Sequence, residues 1–199
     1  VDPQSIAATT ATKLRFVNDN KCWEIVEGSI LNRNDVIRLP ISDIVYSWGV
    51  LHHTGDMWEA IENASSRVAP SGCFCLGIFN SAGFKSDLVK LAAWISHKTP
   101  KNLFWVTAIP IIGAGVIRNF VLDTLKGRPF DRYSSYYKMR GMSYWHDLFD
   151  GLASYPYEHA SPEQTNEFMA RLGFSAEYSR VYPRKTLVND YRFRNNLTI

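Results

Sequence analysis

The sequence predicts an α/β fold in which a doubly wound, mostly parallel sheet is interrupted by a helical cap. Apolar strand patterns at residues 43–48 and 73–79 flank a segment with helical periodicity and capping signals. A strand, a helix and a strand joined by short turns are typical of a parallel crossover. The carboxyl ends of parallel strands meet at one crevice, so ligand chemistry is expected near residues 47–53 and 80–83.

Length, charge and cysteine content narrow the class of protein. The 199 residues are 46% hydrophobic and 21% charged, which excludes a disordered or collagen-like chain. The net charge of +3 is too small to indicate a nucleic-acid partner by itself. Three cysteines argue against a disulfide framework and favour a reducing, cytoplasmic location. The longest charge-free run, residues 102–117 with Pro110 inside it, is shorter than the roughly 20 apolar residues of a membrane span, so no transmembrane segment is predicted.

The first elements are a helix and a short strand. Asp2 followed by Pro3 is typical of a helix start, because the Asp side chain accepts unpaired backbone N–H groups and Pro loses no bond at the first position. The face that this helix is expected to bury is marked by Ile6, Thr10 and Leu14. Residues 22–26 predict a short strand that is closed by Gly28.

The crossover helix is predicted between the two apolar strands. Asp56, with Glu59 three residues later, resembles a capping box. Apolar residues then recur at helical spacing, at Met57, Ile61, Ala64 and Val68. The turn formers at 70–72 are expected to end this helix before the nearly continuous apolar strand at 73–79.

The pattern changes at residue 84 and returns to an α/β pattern near residue 158. Long apolar helical stretches alternate with an aromatic and basic run at 128–140, which predicts an inserted cap. A capping box begins at Ser161 with Pro at the first helical position, and Gly173 is the expected C-terminal cap of that helix. Two closing strands are predicted in the residues that follow, at 174–182 and 186–193.

The most specific signal is the run DIVYSWGVLHHTGDMW at residues 43–58, followed by a helix and VAPSG at 68–72. It closely resembles the fourth strand, the turn after it and the approach to the fifth strand of class I S-adenosylmethionine-dependent methyltransferases, particularly small-molecule enzymes such as the benzoquinol methylases. Residues 1–6, 27–30 and 140–173 resemble further parts of the same subgroup. The resemblance therefore covers essentially the whole chain.

This resemblance implies a Rossmann-like architecture and an enzymatic function. Residues 1–83 would form the C-terminal part of the cofactor-binding core, 84–157 the helical and aromatic cap, and 158–199 the last helix and closing strands. It implies methyl transfer from S-adenosylmethionine to an oxygen, nitrogen or carbon of a small molecule. Positioning would provide most of the rate, with a base needed only if the acceptor must lose a proton.

The resemblance also implies the cofactor contacts. Ser29 and Ile30 would lie beside the adenine. The methionine end and the sulfonium would be lined by Ser47, Trp48, Gly49 and Val50. An aromatic face favours a nearby cation, which gives Trp48 a physical reason to be there. A purely structural role in the core is the alternative for Trp48.

The Gly-rich cofactor loop of this class, and the acidic residue that binds the ribose hydroxyls, would precede Asp2. Pro3 marks Asp2 as a helix cap rather than as that acid. The expected sheet of this class has the strand order 3-2-1-4-5-7-6, so without strands one and two the strand at 43–48 exposes an unpaired apolar edge. We therefore expect this sequence to be an N-terminally truncated methyltransferase that binds cofactor poorly alone.

Three histidines are candidate catalytic residues. His52 and His53 follow the strand at 43–48, and one of them could take a proton from an acceptor hydroxyl. Structural packing is the alternative for this pair, and His146, next to Asp147 in the cap, is a rival base. Adjacent histidines on a turn are expected to point apart, and no metal-ligand spacing surrounds them, so no metal site is predicted.

Substrate contacts are expected at the end of the strand at 73–79 and in the stretch 128–140. A cap that closes over an aromatic or anionic small molecule needs the cationic and aromatic side chains that this stretch interleaves. The predicted contacts are Asn80, Arg132, Tyr133, Tyr137 and Arg140.

Several alternatives stay open. The stretch 128–140 could stack bases and neutralise phosphates, as an RNA methyltransferase would need. The fold could instead serve as a non-catalytic binding scaffold. Residues 111–118 imitate a dinucleotide fingerprint, but Arg118 occupies the third Gly position. This apolar segment is interpreted as a helix-packing part of the cap, with peripheral contact to a membrane surface as the alternative. The oligomeric state is left open.

Overall fold

A computed structural model describes residues 3–16, 23–130, 133, 136–138, 141 and 143–197. Its centre is one four-stranded sheet. The strands are β1 (Ser42–Trp48), β2 (Val68–Phe79), β3 (Phe174–Arg180) and β4 (Val188–Asn195). The longer helices are α1 (Pro3–Phe16), α2 (Arg33–Ile37), α3 (Met57–Ser65), α4 (Phe84–Lys98), α5 (Phe104–Leu125), α6 (Tyr144–Ala153) and α7 (Pro162–Arg171).

The sheet has the order β1-β2-β4-β3. β1 pairs with β2 in parallel, whereas β4 is antiparallel to both β2 and β3. The mixed α/β class is thus confirmed. The order is also the one expected for strands four, five, seven and six of the architecture that the sequence resembles.

The core lies where β2 and β4 meet α3 and α7. Phe74, Leu76 and Ile78 of β2 are almost completely buried. They form one cluster with residues of the helices and of β4, including Met57, Ile61, Met169, Tyr191 and Phe193. Each such apolar side chain contributes about 1.5–3 kcal/mol relative to its exposed state. This cluster fixes the carboxyl ends of β1 and β2 relative to each other.

Both helices of the core begin where their capping residues predict. The Asp56 carboxylate accepts a hydrogen bond from the Glu59 backbone N–H at 3.1 Å, at the start of α3. At the start of α7, Ser161 and Gln164 form the complete reciprocal capping box, with distances of 2.9 and 3.2 Å. Local side-chain chemistry therefore sets both starts.

The predicted end of the crossover helix is wrong. Helix α3 ends at Ser65, and Val68 already begins β2, so residues 70–72 lie within the strand. The Asn195 side-chain amide donates hydrogen bonds to the carbonyl oxygens of Val68 and Ala69 at 3.0 and 3.2 Å. These tertiary bonds hold the segment in the sheet, which the local spacing could not predict.

The N-terminal helix is confirmed for residues 3–16, but the strand predicted at 22–26 is wrong where the structure describes it. Residues 23–29 have no regular secondary structure, and residue 22 lies outside the described part, as does Asp2. A strand forms only against a neighbour, and the part of the chain that is described supplies none here. Leu14 of α1 is 71% exposed, so the predicted apolar face of α1 is not buried.

The structure forms helices at 84–153, where the sequence predicts the cap, but α5 differs from the expected helix-packing segment. The helix continues past Arg118 to Leu125, and Pro110 lies inside it without ending it. By length and composition alone, this 22-residue helix could cross a membrane. An 18-residue window of it has a mean hydropathy of 1.6, and only 11% of that window is buried. The sequence prediction considered only the charge-free run at 102–117, which ends before Arg118, and this run is too short to span a membrane.

Candidate functional site

Two cavities meet at His53. The first, the edge cavity, has a volume of about 810 Å³ and follows β1 and the loops beside it. The second, the cap cavity, has a volume of about 610 Å³ and lies between the ends of β2 and β4 and the helices α4, α5 and α6. His53 lines both cavities, which places its imidazole between two potential ligands.

The edge cavity brings together five of the six residues predicted to contact the cofactor. They are Ser29, Ile30, Ser47, Gly49 and Val50. Gly49 has a φ of +77° and donates its backbone N–H to the Gly77 carbonyl at 3.0 Å, so it turns the chain out of β1 while staying attached to β2. A positive φ at this point favours glycine over a side chain with Cβ.

The loop at 28–31, on the other side of the edge cavity, is held by side chains from two helices. The Ser29 backbone N–H donates to the Asp35 carboxylate at 3.0 Å, and this bond is the main reason that the pKa of Asp35 is lowered. The Asn63 amide of α3 donates to the Ile30 carbonyl at 2.9 Å. These bonds fix Ser29 and Ile30 at the wall of the cavity.

Trp48, the sixth predicted cofactor contact, does not line the edge cavity. Its ring lies against Gly77, and its indole N–H donates to the Asp190 carboxylate at 2.6 Å. The ring is 46% exposed. The structure therefore places Trp48 across the sheet toward β4, neither buried in the core nor directed into the cavity.

His53 is held in one orientation by the segment at 156–160, at the end of the cap. Its Nδ1 lies 2.7 Å from the Pro156 carbonyl oxygen, which can only accept, so Nδ1 carries the proton of this bond. The segment itself is attached by bonds from the Glu158 N–H to the His52 carbonyl at 3.0 Å and from the Ala160 N–H to the Phe79 carbonyl at 3.1 Å. In the described part of the chain Nε2 has no recorded hydrogen-bond partner, which leaves its lone pair available.

His52 is in a different environment, although the two rings do not point apart as predicted. Their centroids are 4.3 Å apart, and the His52 ring also packs 4.2 Å from that of Phe79. His52 is completely buried, and neither ring nitrogen has a hydrogen-bond partner among the described residues. Burial, reinforced by His53, lowers the pKa of His52 to about 3, and the opposing effect of the Gly77 backbone is smaller. His52 lines neither cavity.

His146 and the predicted substrate contacts lie away from both cavities where they are described. His146 is exposed on α6. The Tyr133 hydroxyl donates to the Val116 carbonyl at 3.0 Å, and Tyr137 is 69% exposed. Neither tyrosine is among the described residues that line the edge cavity or the cap cavity. Arg132 and Arg140 lie outside the described residues.

Asn80 is predicted as a substrate contact, but its amide is occupied within the chain. Its nitrogen donates to the carbonyl oxygens of Tyr182 and Lys185 at 3.0 and 2.9 Å, and its oxygen accepts from the Asn189 amide at 3.0 Å. The side chain is 2% exposed and lines neither cavity. In this structure Asn80 ties the end of β2 to β4 and to the turn before it.

Sequence reasoning missed Tyr157. Its ring stacks on Phe79 at 4.7 Å and lies 6.3 Å from His53, and both rings line the cap cavity with His53. The Tyr157 hydroxyl is buried without a hydrogen-bond partner among the described residues, and burial raises its pKa. The density of titratable residues in YEH at 157–159 is a signal that could have indicated this position.

Comparison with known proteins shows the fold and nothing finer. No protein-family model matches the sequence, and no curated protein matches it either. Among solved structures, an O-methyltransferase family protein from Burkholderia thailandensis superposes with a TM-score of 0.52 and 12% identity over 97% of this chain. The chain has a methyltransferase-like fold. It spans 41% of the length of that protein.

Proposed function

We propose that this chain carries the acceptor side and part of the cofactor side of an S-adenosylmethionine-dependent methyltransferase, with His53 as the general base. The position of His53 between the two cavities carries the proposal. Its available Nε2 has the chemistry that removes a proton from an acceptor as the methyl group arrives. The methyltransferase-like fold supports the same reaction class.

The edge cavity fits parts of S-adenosylmethionine. Its volume of about 810 Å³ lies within the range of small-molecule sites. Ser29 and Ile30 would hold the adenine, and Ser47, Gly49 and Val50 the methionine end, where the bound cofactor supplies an electrophilic methyl group. No Asp or Glu is among the described residues that line this cavity. The chain's own residues thus fit the two ends of the cofactor and lack a carboxylate for the ribose.

The cap cavity favours an acceptor with an apolar body. Leu88, Val89, Ile111 and Ile112 provide aliphatic walls, and His53 provides a polar atom at the end near β2. Such a lining excludes water and orients a ligand by a few polar contacts. We infer a small molecule with one ionisable hydroxyl directed at His53. The bond from Nδ1 to Pro156 keeps Nε2 as the proton acceptor.

Cofactor binding is tested by calorimetric titration of S-adenosylmethionine into this chain and into a version extended upstream by a Gly-rich cofactor loop. We expect clear binding by the extended version and weaker binding by this chain, with amide chemical-shift changes at Ser47 and Gly49. Absence of binding by both proteins would overturn the proposal and favour a non-catalytic scaffold.

The role of His53 is tested with His53→Gln in the extended version, with an alkyl-substituted phenol as the acceptor. General-base catalysis contributes about 10²–10⁴-fold, so we expect turnover to fall at least about 100-fold while the Kd for S-adenosylmethionine is unchanged. His146→Gln is the matched control, because that histidine is exposed and lines neither cavity. Equal activity of His53→Gln and His146→Gln would contradict the assignment.

A further inference from the structure

Helix α5 is apolar around its circumference, yet it is not a core helix. An 18-residue window of this 22-residue helix has a mean hydropathy of 1.6, and 11% of that window is buried. A helix that is hydrophobic on all sides is normally surrounded by protein or by lipid. Within the described part of the chain, protein covers only one side of α5.

The two sides of α5 have different surroundings. On the inner side, Ala108 and Asp123 are buried, and Ile111, Ile112 and Gly115 line the cap cavity. The outer side exposes large apolar side chains at helical spacing, namely Trp105, Val106, Ile109, Ile117, Val121 and Leu125. At 1.5 Å per residue this outer face extends for about 33 Å. The neighbouring helix α4 adds the exposed side chains of Phe84, Leu91 and Trp94.

The charge around α5 indicates what covers this face. Residues 84–130 contain seven Lys or Arg and two Asp or Glu, a net charge of +5, whereas the whole chain has +3. Lys98 and Lys101 precede α5, and Lys126 and Arg128 follow it. Basic residues beside an apolar helical face are attracted to anionic lipid headgroups. We propose that the outer face of α5 docks on an anionic lipid bilayer, with the helix lying along the membrane surface.

Two features favour a helix that lies on the membrane over one that crosses it. The inner side of α5 is attached to the rest of the cap, for example by the Asn119 amide of α5 to the Tyr144 hydroxyl of α6 at 3.3 Å. Crossing would expose those polar partners and the cap cavity to lipid. In addition, basic residues flank both ends of the helix, which fits two ends at one headgroup layer.

Charge also argues against a second copy of this chain as the occupant. Two caps with a net charge of +5 each would approach at the same face and repel. An anionic surface removes that repulsion and covers the same apolar side chains. The proposal goes beyond methyl transfer and does not rest on it, because lipid binding can be measured without cofactor or acceptor.

The test is flotation of the full chain with vesicles of phosphatidylcholine alone or with added phosphatidylglycerol. We expect binding to the anionic vesicles that weakens with added salt. Ile109→Glu should reduce the partition coefficient at least about tenfold, because it places a charge where an apolar side chain enters lipid. Lys98→Gln and Lys126→Gln should each reduce it about fivefold. Leu14→Glu is the matched control on α1, where the leucine is exposed at 71%.

Orientation is tested by quenching of Trp105 fluorescence with brominated lipids, using Trp105→Phe to subtract the other tryptophans. We expect stronger quenching by bromine near the headgroup end of the acyl chains than near the methyl end. The reverse order would overturn the surface orientation. Absence of vesicle binding, equal binding to both vesicles, or equal losses in Ile109→Glu and Leu14→Glu would overturn the docking surface. A dimer that Ile109→Glu dissociates, without vesicle binding, would identify a second copy instead.

Discussion

At the scale of single residues, two adjacent histidines have different surroundings. His52 is enclosed beneath the strand ends and packs on Phe79, whereas His53 reaches both cavities and is oriented by the Pro156 carbonyl at 2.7 Å. A base must exchange its proton with a ligand, and only His53 has that access. His52 instead supports the ring of His53, since their centroids are 4.3 Å apart.

The burial of His52 predicts an acid-sensitive fold. Its pKa falls from 6.5 when unfolded to about 3 in the fold, so the unfolded chain binds a proton first as the pH drops. The contribution of His52 to the free energy of unfolding is therefore highest above pH 6.5. It decreases progressively toward pH 3, by about 2–3 kcal/mol near pH 4.5, because protonation of the buried ring is unfavourable in the fold. His52→Leu should remove this loss and be neutral or stabilising at pH 7, because it removes two buried nitrogens without partners.

Urea unfolding at several pH values, followed by circular dichroism, checks this expectation. The relevant quantity is the difference in unfolding free energy between the wild-type chain and His52→Leu at each pH. His146→Leu serves as the exposed control. Parallel pH curves for the wild-type chain and His52→Leu would show that His52 is not the acid-sensitive group.

At the scale of elements, Gly77 and Trp48 connect β1 to the other strands. A Cβ at position 77 would lie 2.2 Å from Cδ1 of Trp48, so Gly77→Ala must displace the ring and disturb its 2.6 Å bond to Asp190. We expect Gly77→Ala to destabilise the fold by about 1–2 kcal/mol. In a Trp48→Ala background, Gly77→Ala should destabilise the fold much less. Urea unfolding of the wild type, the two single variants and the double variant measures this coupling. Additive costs would indicate that Trp48 does not restrict position 77.

The elements that the sequence predicts well are those whose signals are local. Asp56 and Ser161 each cap a helix through a bond three residues away, and both helix starts are confirmed. The predictions for residues 68–72 and 22–26 are wrong because a strand depends on partners far along the chain. Val68 is held by Asn195, and the predicted strand at 22–26 has no neighbour among the described strands.

The candidate site follows the same division. The turn after β1 is identified from sequence, and five of the six residues predicted as cofactor contacts line one cavity. Asn80 and Tyr157 are the counterexamples. The amide of Asn80 is used by distant backbone carbonyls, whereas Tyr157 reaches the cap cavity by stacking on Phe79. Neither long-range arrangement has a sequence spacing that would reveal it.

At the scale of the whole molecule, two regions of the described chain expose large apolar side chains, the outer face of α5 and the outer edge of β1. They differ in chemistry, because most backbone groups within α5 are paired along the helix, whereas β1 pairs with a described strand on one side only. Lipid suits the first, and another strand suits the second.

The edge of β1 therefore predicts how this chain associates in water. Ile44 and Tyr46 are 67% and 71% exposed, beside backbone groups that face away from β2. Such an edge is a template for pairing with a strand of another molecule, and a lysine on it opposes that pairing. We expect Tyr46→Lys to slow concentration-dependent aggregation, measured by static light scattering over time, severalfold or more.

Tyr178→Lys on β3 is the matched control for this edge. β3 is the other edge of the sheet, and Tyr178 is 51% exposed, but a register irregularity beside Tyr178 already disrupts its pairing with β4. A disrupted edge is a poorer template than a regular one. The two variants have the same change in charge, so a general gain in solubility would slow both equally. A larger effect at Tyr46 assigns the association to the β1 edge, whereas an equal or smaller effect there would refute it.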